Sequence, residues 1–151
     1  MRLVEIWAYN KPYHHTTLDD LESFLWLLVW CILCITEERG KLDEAEARYL
    51  KNLQSADVES HIDSRPGLLT NIQRSVKRGL ASEMMALFHP LLSKWYQISS
   101  DASDVAIALE MNSTPPTNDY LRNITHEYFG KFLANGLSHL TNLPDSWDKI
   151  F

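Results

Sequence analysis

The sequence predicts an all-α fold. Apolar residues recur at three- and four-residue spacing over most of the chain, and no run alternates well enough to read as a half-buried strand. One stretch, FLWLLVWCILCI from Phe24 to Ile35, carries no charge at all, and acids stand on both sides at Asp19, Asp20, Glu22, Glu37 and Glu38. A helix that is apolar all round is one that other helices surround. One central apolar helix should therefore organise the chain.

The elements follow in order. Met1 to Thr17 has no clean period and contains a Lys11-Pro12 break, so it reads as loop or short turns. The central helix should begin near Thr17 or Leu18, with Asp19, Asp20 and Glu22 placed well against its N-terminal dipole. Gly40 is its natural stop. Asp43 to Gln54 reads as a polar helix held by Leu42, Tyr49, Leu50 and Leu53, and Ser55 to Arg65 reads as irregular. A third helix is expected from Pro66 to Arg78, through Leu68, Ile72 and Val76, with Gly79 as its C-terminal cap. A fourth carries Met84, Phe88, Leu91, Leu92 and Trp95 from Ala81 to Ile98, with a kink or restart at Pro90. Ser99 to Asp104 should break the chain, leaving Val105 to Met111 as one or two turns. After Thr114-Pro115-Pro116-Thr117, a fifth main helix aligns Leu121, Ile124, Tyr128, Phe132 and Leu133, and should fade by Gly136.

Composition sets the outer limits. At 151 residues the chain suits one domain with one core. It is 45% hydrophobic and 23% charged, outside the range of disordered or repetitive chains. Fourteen Lys and Arg against twenty Asp and Glu give a net charge of −6, which argues against nucleic acid or an anionic membrane as partner. The one tight basic group, Arg74, Lys77 and Arg78, is too small to change that. Twelve helical residues span about 18 Å, short of the roughly 30 Å of a bilayer core, so the apolar run is not a membrane span. It also lies too far along the chain for a signal peptide. The expectation is an intracellular, cytoplasmic protein that is not secreted.

Several residues could carry chemistry. His14, His15, Asp19 and Asp20 are metal-ligand types close together, but helix capping and loop polarity account for them more simply. Cys31 and Cys34 have C-x-x-C spacing, yet a zinc site of that kind needs a second pair. Small core hydrophobes are the better reading. Ser23 lies near Asp19 and Asp20 but lacks the G-x-S-x-G turn that would expose a nucleophile.

The segment His15-Thr-Thr-Leu-Asp19-Asp20-Leu21-Glu22-Ser23-Phe24, running into Leu25-Trp26-Leu27-Leu28-Val29-Trp30, resembles the signature of the fungal-type protein kinase family. There, a His and D-D-L-E-S lead into the central helix of the C-terminal lobe. The resemblance covers about Met1 to Ile35; from Gly40 onward it is only to a helical tail of similar length. It implies that the chain is a single partial kinase-like domain, a C-lobe subdomain around one central apolar helix. It also implies a structural anchor at Asp20 and Ser23, the Asp20 carboxylate capping backbone amides of the catalytic loop in an intact kinase. Leu25 stands where most eukaryotic kinases have Gly, and Glu22 where many have Trp.

The parts needed for phosphoryl transfer are absent from the sequence. No Gly-rich phosphate loop, nucleotide Lys, H-R-D-type loop or Asp-Phe-Gly occurs. Val105-Ala106-Ile107 leads to Ala108, not Lys, Phe129-Gly130 follows Tyr128, not Asp, and His61-Ile62-Asp63 lacks the Arg. No catalytic, cofactor-binding or metal residue is therefore assigned, and ATP and Mg²⁺ belong to this chain only through the complete family domain. The expectation is a C-lobe fragment of a kinase that transfers the ATP γ-phosphate to protein hydroxyls, inactive alone. The alternatives are a helical protein-binding module derived from such a lobe and a kinase completed by another chain. Without the catalytic-loop region, an apolar patch should remain near Phe24, Leu27, Leu28 or Cys31. It would offer a surface for a protein partner or for self-association.

Overall fold

The computed structural model describes residues 17–54, 58–111 and 116–149. Among them lie five α-helices: α1 at Asp19–Glu38, α2 at Glu44–Gln54, α3 at Val58–Lys77, α4 at Glu83–Met111 and α5 at Asn118–Thr141. A 3-10 turn follows at Trp147–Lys149. No strand occurs among the described residues, and the fold is all-α. Most of the stretch expected as loop before α1 lies outside them.

Local chemistry sets several helix ends as expected. Gly40 and Gly79 both have positive φ, 64° and 67°, the left-handed conformation that costs other residues a Cβ clash. At the end of α1, Gly40 N–H bonds Glu37 O at 2.8 Å and Lys41 N–H reaches back to Thr36 O at 3.1 Å. At the end of α3 the same pair recurs, Gly79 N–H to Val76 O and Leu80 N–H to Ser75 O, each 3.0 Å. These are Schellman closures, which give the last carbonyls of a helix their partners. Thr117 caps α5, its side chain accepting from Tyr120 N–H.

Three boundaries differ from expectation. Residues 55–57 of the expected irregular stretch lie outside the described residues, and Val58 to Arg65 is helical, not irregular, because α3 begins at Val58 and passes through Pro66. Its polar residues each lower helix propensity by only a fraction of a kcal/mol, so they carry no true break. The fourth helix neither restarts at Pro90 nor breaks at Ser99–Asp104; α4 is one helix of 29 residues with Pro90 inside it. Leu91 and Leu92 directly after the proline are buried, as are Ile98, Ala102 and Ala106 at four-residue spacing. Burial of about 1.5–3 kcal/mol per large apolar side chain outweighs the preference of serines and aspartates for turns. Ser99 returns its hydroxyl to Trp95 O at 2.9 Å, so it does not compete with the helix. Finally, α5 continues past Gly136 to Thr141.

The chain forms two compact units. Of the described residues, one gathers those up to Leu25 with those of Lys94–Asn142, the other those of Trp26–Ser93 with those from Leu143 onward. In the first, Leu18, Leu21, Ile98, Ala102, Ala106 and Phe132 form the core, with Trp95, Ile124, Tyr128 and Phe129 packed against it. Trp95 stacks on Phe132, ring centroids 3.7 Å apart, and its indole N–H donates to Phe132 O at 3.0 Å. In the second, α2 packs on α3, and Val29, Leu33, Leu50, Leu68, Met85 and Leu92 are buried with almost no exposure.

Candidate functional site

In the second unit, Glu46 gathers several polar partners. Its side chain is 2% exposed, a position carboxylates rarely occupy unless fully bonded. Asp43 and Glu46 exchange bonds at the start of α2. Glu46 N–H donates to Asp43 Oδ1 at 2.7 Å, and Asp43 N–H donates to Glu46 Oε2 at 3.2 Å. This is the reciprocal capping box, readable in the sequence as Asp43-x-x-Glu46. The other oxygen, Oε1, accepts from Ser82 N–H at 3.0 Å and Ser82 Oγ–H at 2.9 Å. Ser82 Oγ in turn accepts from Met85 N–H in the first turn of α4. One carboxylate thus ties the starts of two helices together. Burial pushes the Glu46 carboxyl above its ordinary range, against the opposing pull of the Ser82 and Asp43 hydrogen bonds.

A perturbed buried acid marks a catalytic candidate when a cleft gives substrate access. Here the neighbouring recess, lined by Thr36, Arg39, Lys41, Ser82, Glu83 and Met84, has room for one water, about 10 Å³. Both oxygens of Glu46 are occupied by backbone and hydroxyl donors of its own chain. The arrangement is structural. Sequence reasoning passed over it because nothing local reveals the reach from Glu46 to Ser82.

The residues singled out from sequence lie elsewhere. Asp20 is half-buried in the first turn of α1 and Ser23 is exposed there; neither is without a partner. His14 and His15 lie outside the described residues. Among the described residues, no three His, Cys, Asp or Glu side chains cluster in a way that could hold a metal. Cys31 and Cys34 are free thiols, and both are half-buried at the margin of the second unit, not inside its core. Burial first, and Glu37 second, raise the Cys34 thiol above its ordinary value, which disfavours the reactive thiolate.

The outward side of α1 is what remains open. In the second unit, Val29, Ile32, Leu33 and Thr36 face the core while Leu27 and Trp30 stand 53% and 42% exposed, with Leu28 and Cys31 half-buried beside them. Further up the same helix, within the first unit, Phe24 is exposed too. Within the second unit α1 thus keeps an apolar side exposed at Leu27, as expected, with Trp30 added to it. Among the described residues, no helix is long and apolar enough to cross a membrane.

The chain matches no family model, no curated protein and no solved structure.

Proposed function

We propose that this chain is a helical protein-binding module, derived from the C-terminal lobe of a fungal-type protein kinase and acting through the outward face of α1. One observation carries the reading: Leu27 and Trp30 are exposed in an uncharged stretch of helix. Scattered single hydrophobes need no explanation, whereas a contiguous apolar face on a monomer indicates a binding surface. Aromatic and aliphatic side chains of this size are the usual anchors of protein interfaces. The kinase origin rests on the His15–Phe24 segment and on its place at the start of the apolar helix. By that resemblance, the natural occupant is an apolar segment of the kind that precedes this helix in the complete domain. The parent reaction is ATP-dependent phosphorylation of protein hydroxyls. This chain contributes binding, not catalysis.

Sedimentation velocity at micromolar concentration tests it. The wild-type chain should self-associate, and Leu27→Glu with Trp30→Glu should return it to a monomer without loss of helicity. Co-expression with an upstream kinase segment should have the same effect. A wild-type chain that sediments as a clean monomer and binds no apolar dye would remove the basis for the proposal.

A further inference from the structure

The side of α5 turned away from its own core carries a second pattern. Asn123, His126, Gly130, Leu133, Leu137 and Leu140 are all exposed, and steps of three and four residues alternate along them. That period is the seam by which one helix winds on another, with Asn123, Gly130 and Leu137 in one set of seam positions and His126, Leu133 and Leu140 in the other. The three leucines are 62%, 65% and 55% exposed. The opposite side of the helix is already used, since Ile124, Tyr128, Phe129 and Phe132 belong to the core of the first unit or pack against it. From Phe132 to Pro144 the sequence has no Asp, Glu, Lys or Arg, so no charge flanks the apolar half of the seam.

The flanks of the seam favour a second copy of the same helix. In a parallel, in-register pair, the residue just before Asn123 on one helix faces the residue just after His126 on the other. Those residues are Arg122 and Glu127, opposite in charge, and two-fold symmetry forms the pair twice. The couples that follow, Phe129 with Ala134 and Gly136 with Thr141, bring no charges together. In an antiparallel pair each flank meets its own kind, and neither flank holds both signs. Asn123 adds a polar seam residue, which fixes register by matching its own copy. Within one helix, Arg122 already pairs with Asp119, and Glu127 with Lys131. All four are exposed, and such pairs are worth little alone, so both flanks can still engage a partner. Three part-exposed leucines supply well under the roughly 800 Å² per partner of a standard interface. The pairing is therefore weak, and needs concentrations far above the micromolar range in which the α1 face is tested.

We propose that α5 pairs with α5 of a second copy of this chain, parallel and in register, along the seam from Asn123 to Leu140. The proposal uses a different helix from the α1 docking face and stands or falls separately from it. Sedimentation equilibrium of the full chain at several hundred micromolar tests it, with Leu27→Glu and Trp30→Glu present to silence the α1 face. The chain should dimerise reversibly. Arg122→Glu and Glu127→Arg should each weaken the dimer about tenfold, because each sets like charges across both symmetric pairs. The two combined should restore it to within about threefold. That exchange puts like charges beside Asp119 and Lys131 on the same helix, so recovery can come only from across the pair. A chain that stays monomeric, or a combined variant no better than the singles, would overturn the proposal. Cross-linking reads the orientation without the α1 substitutions, in a chain carrying Cys31→Ser and Cys34→Ser. With oxidised glutathione, Leu137→Cys should give a disulfide-linked dimer and Lys131→Cys should not. Equal linking at both positions, or none at Leu137→Cys, would rule out the parallel pair.

Discussion

Glu46 shows how much one side chain can carry. Replacing it with Ala strips the acceptor from Asp43 N–H, Ser82 N–H and Ser82 O–H. Buried donors left unpaired cost about 1–3 kcal/mol each, with partial relief from water in the adjoining recess. Urea denaturation of Glu46→Ala should therefore show a loss of about 2–4 kcal/mol. Glu46→Gln should cost less, because its carbonyl still serves Ser82 and only the Asp43 N–H meets an amide NH₂. The pH profile separates the two roles of the carboxyl. Its folded pKa is raised, so the native state holds the proton more tightly than the unfolded chain. The resulting stabilisation is complete below the unfolded carboxylate range and is lost as pH rises through the folded value. Relative to Glu46→Gln, wild type should lose stability over that rise. Two glycines of α5 make a second test at this scale. A Cβ at Gly136 would come 3.2 Å from Trp95 Cζ2, whereas at Gly130 it would meet nothing. Gly130→Ala should gain about 0.5–1 kcal/mol from helix propensity. Gly136→Ala should forfeit that gain, because the stack on Phe132 and the indole hydrogen bond hold Trp95 in place. Comparing their thermal midpoints checks the difference.

Helices were legible where their signals are local and obscure where packing decides. Gly40 and Gly79 announce their ends because only a residue without Cβ closes a Schellman turn without strain. Gly40→Ala and Gly79→Ala should each cost about 1 kcal/mol, measurable as a drop in urea midpoint with unchanged slope. The serines and aspartates from Ser99 to Asp104 read as a break for a sound local reason, yet Ala102 between them is completely buried. Only the tertiary structure shows that Ile98, Ala102 and Ala106 form one packed stripe. The same holds for α5 beyond Gly136, where the glycine is not a stop signal but the point at which Trp95 comes close. On α1, the uncharged run correctly marked a core helix. Which of its faces stays open depends on the partners it meets, and no periodicity could reveal that in a stretch apolar on every side. The capping box of α2 was written in the sequence as Asp43-x-x-Glu46, but its extension to Ser82 was not.

For the molecule as a whole, the fold class was readable from periodicity, while the proposed binding role rests on the apolar side chains that α1 leaves exposed. The sequence has no phosphate loop, nucleotide Lys or Mg²⁺-binding Asp-Phe-Gly. A ligand stabilises a protein only in proportion to its preference for the folded state. Thermal unfolding in millimolar ATP and Mg²⁺ should therefore show no saturable rise in Tm. A clear saturating shift would mean that these helices bind nucleotide by some other route, and the non-catalytic reading would fail.

The Glu46 junction also has a consequence for the order of events in folding. Its exchange with Asp43 spans three residues, while its bonds to Ser82 span 36. The local half can form as soon as α2 nucleates. The distant half must wait until the intervening chain, including all of α3, has compacted and the loop-closure entropy has been met. Interactions that form after the rate-limiting step act on the reverse reaction alone. Loss of the Ser82 bonds should thus leave refolding near its normal rate and hasten unfolding, making this junction a clasp that governs how long the second unit stays shut.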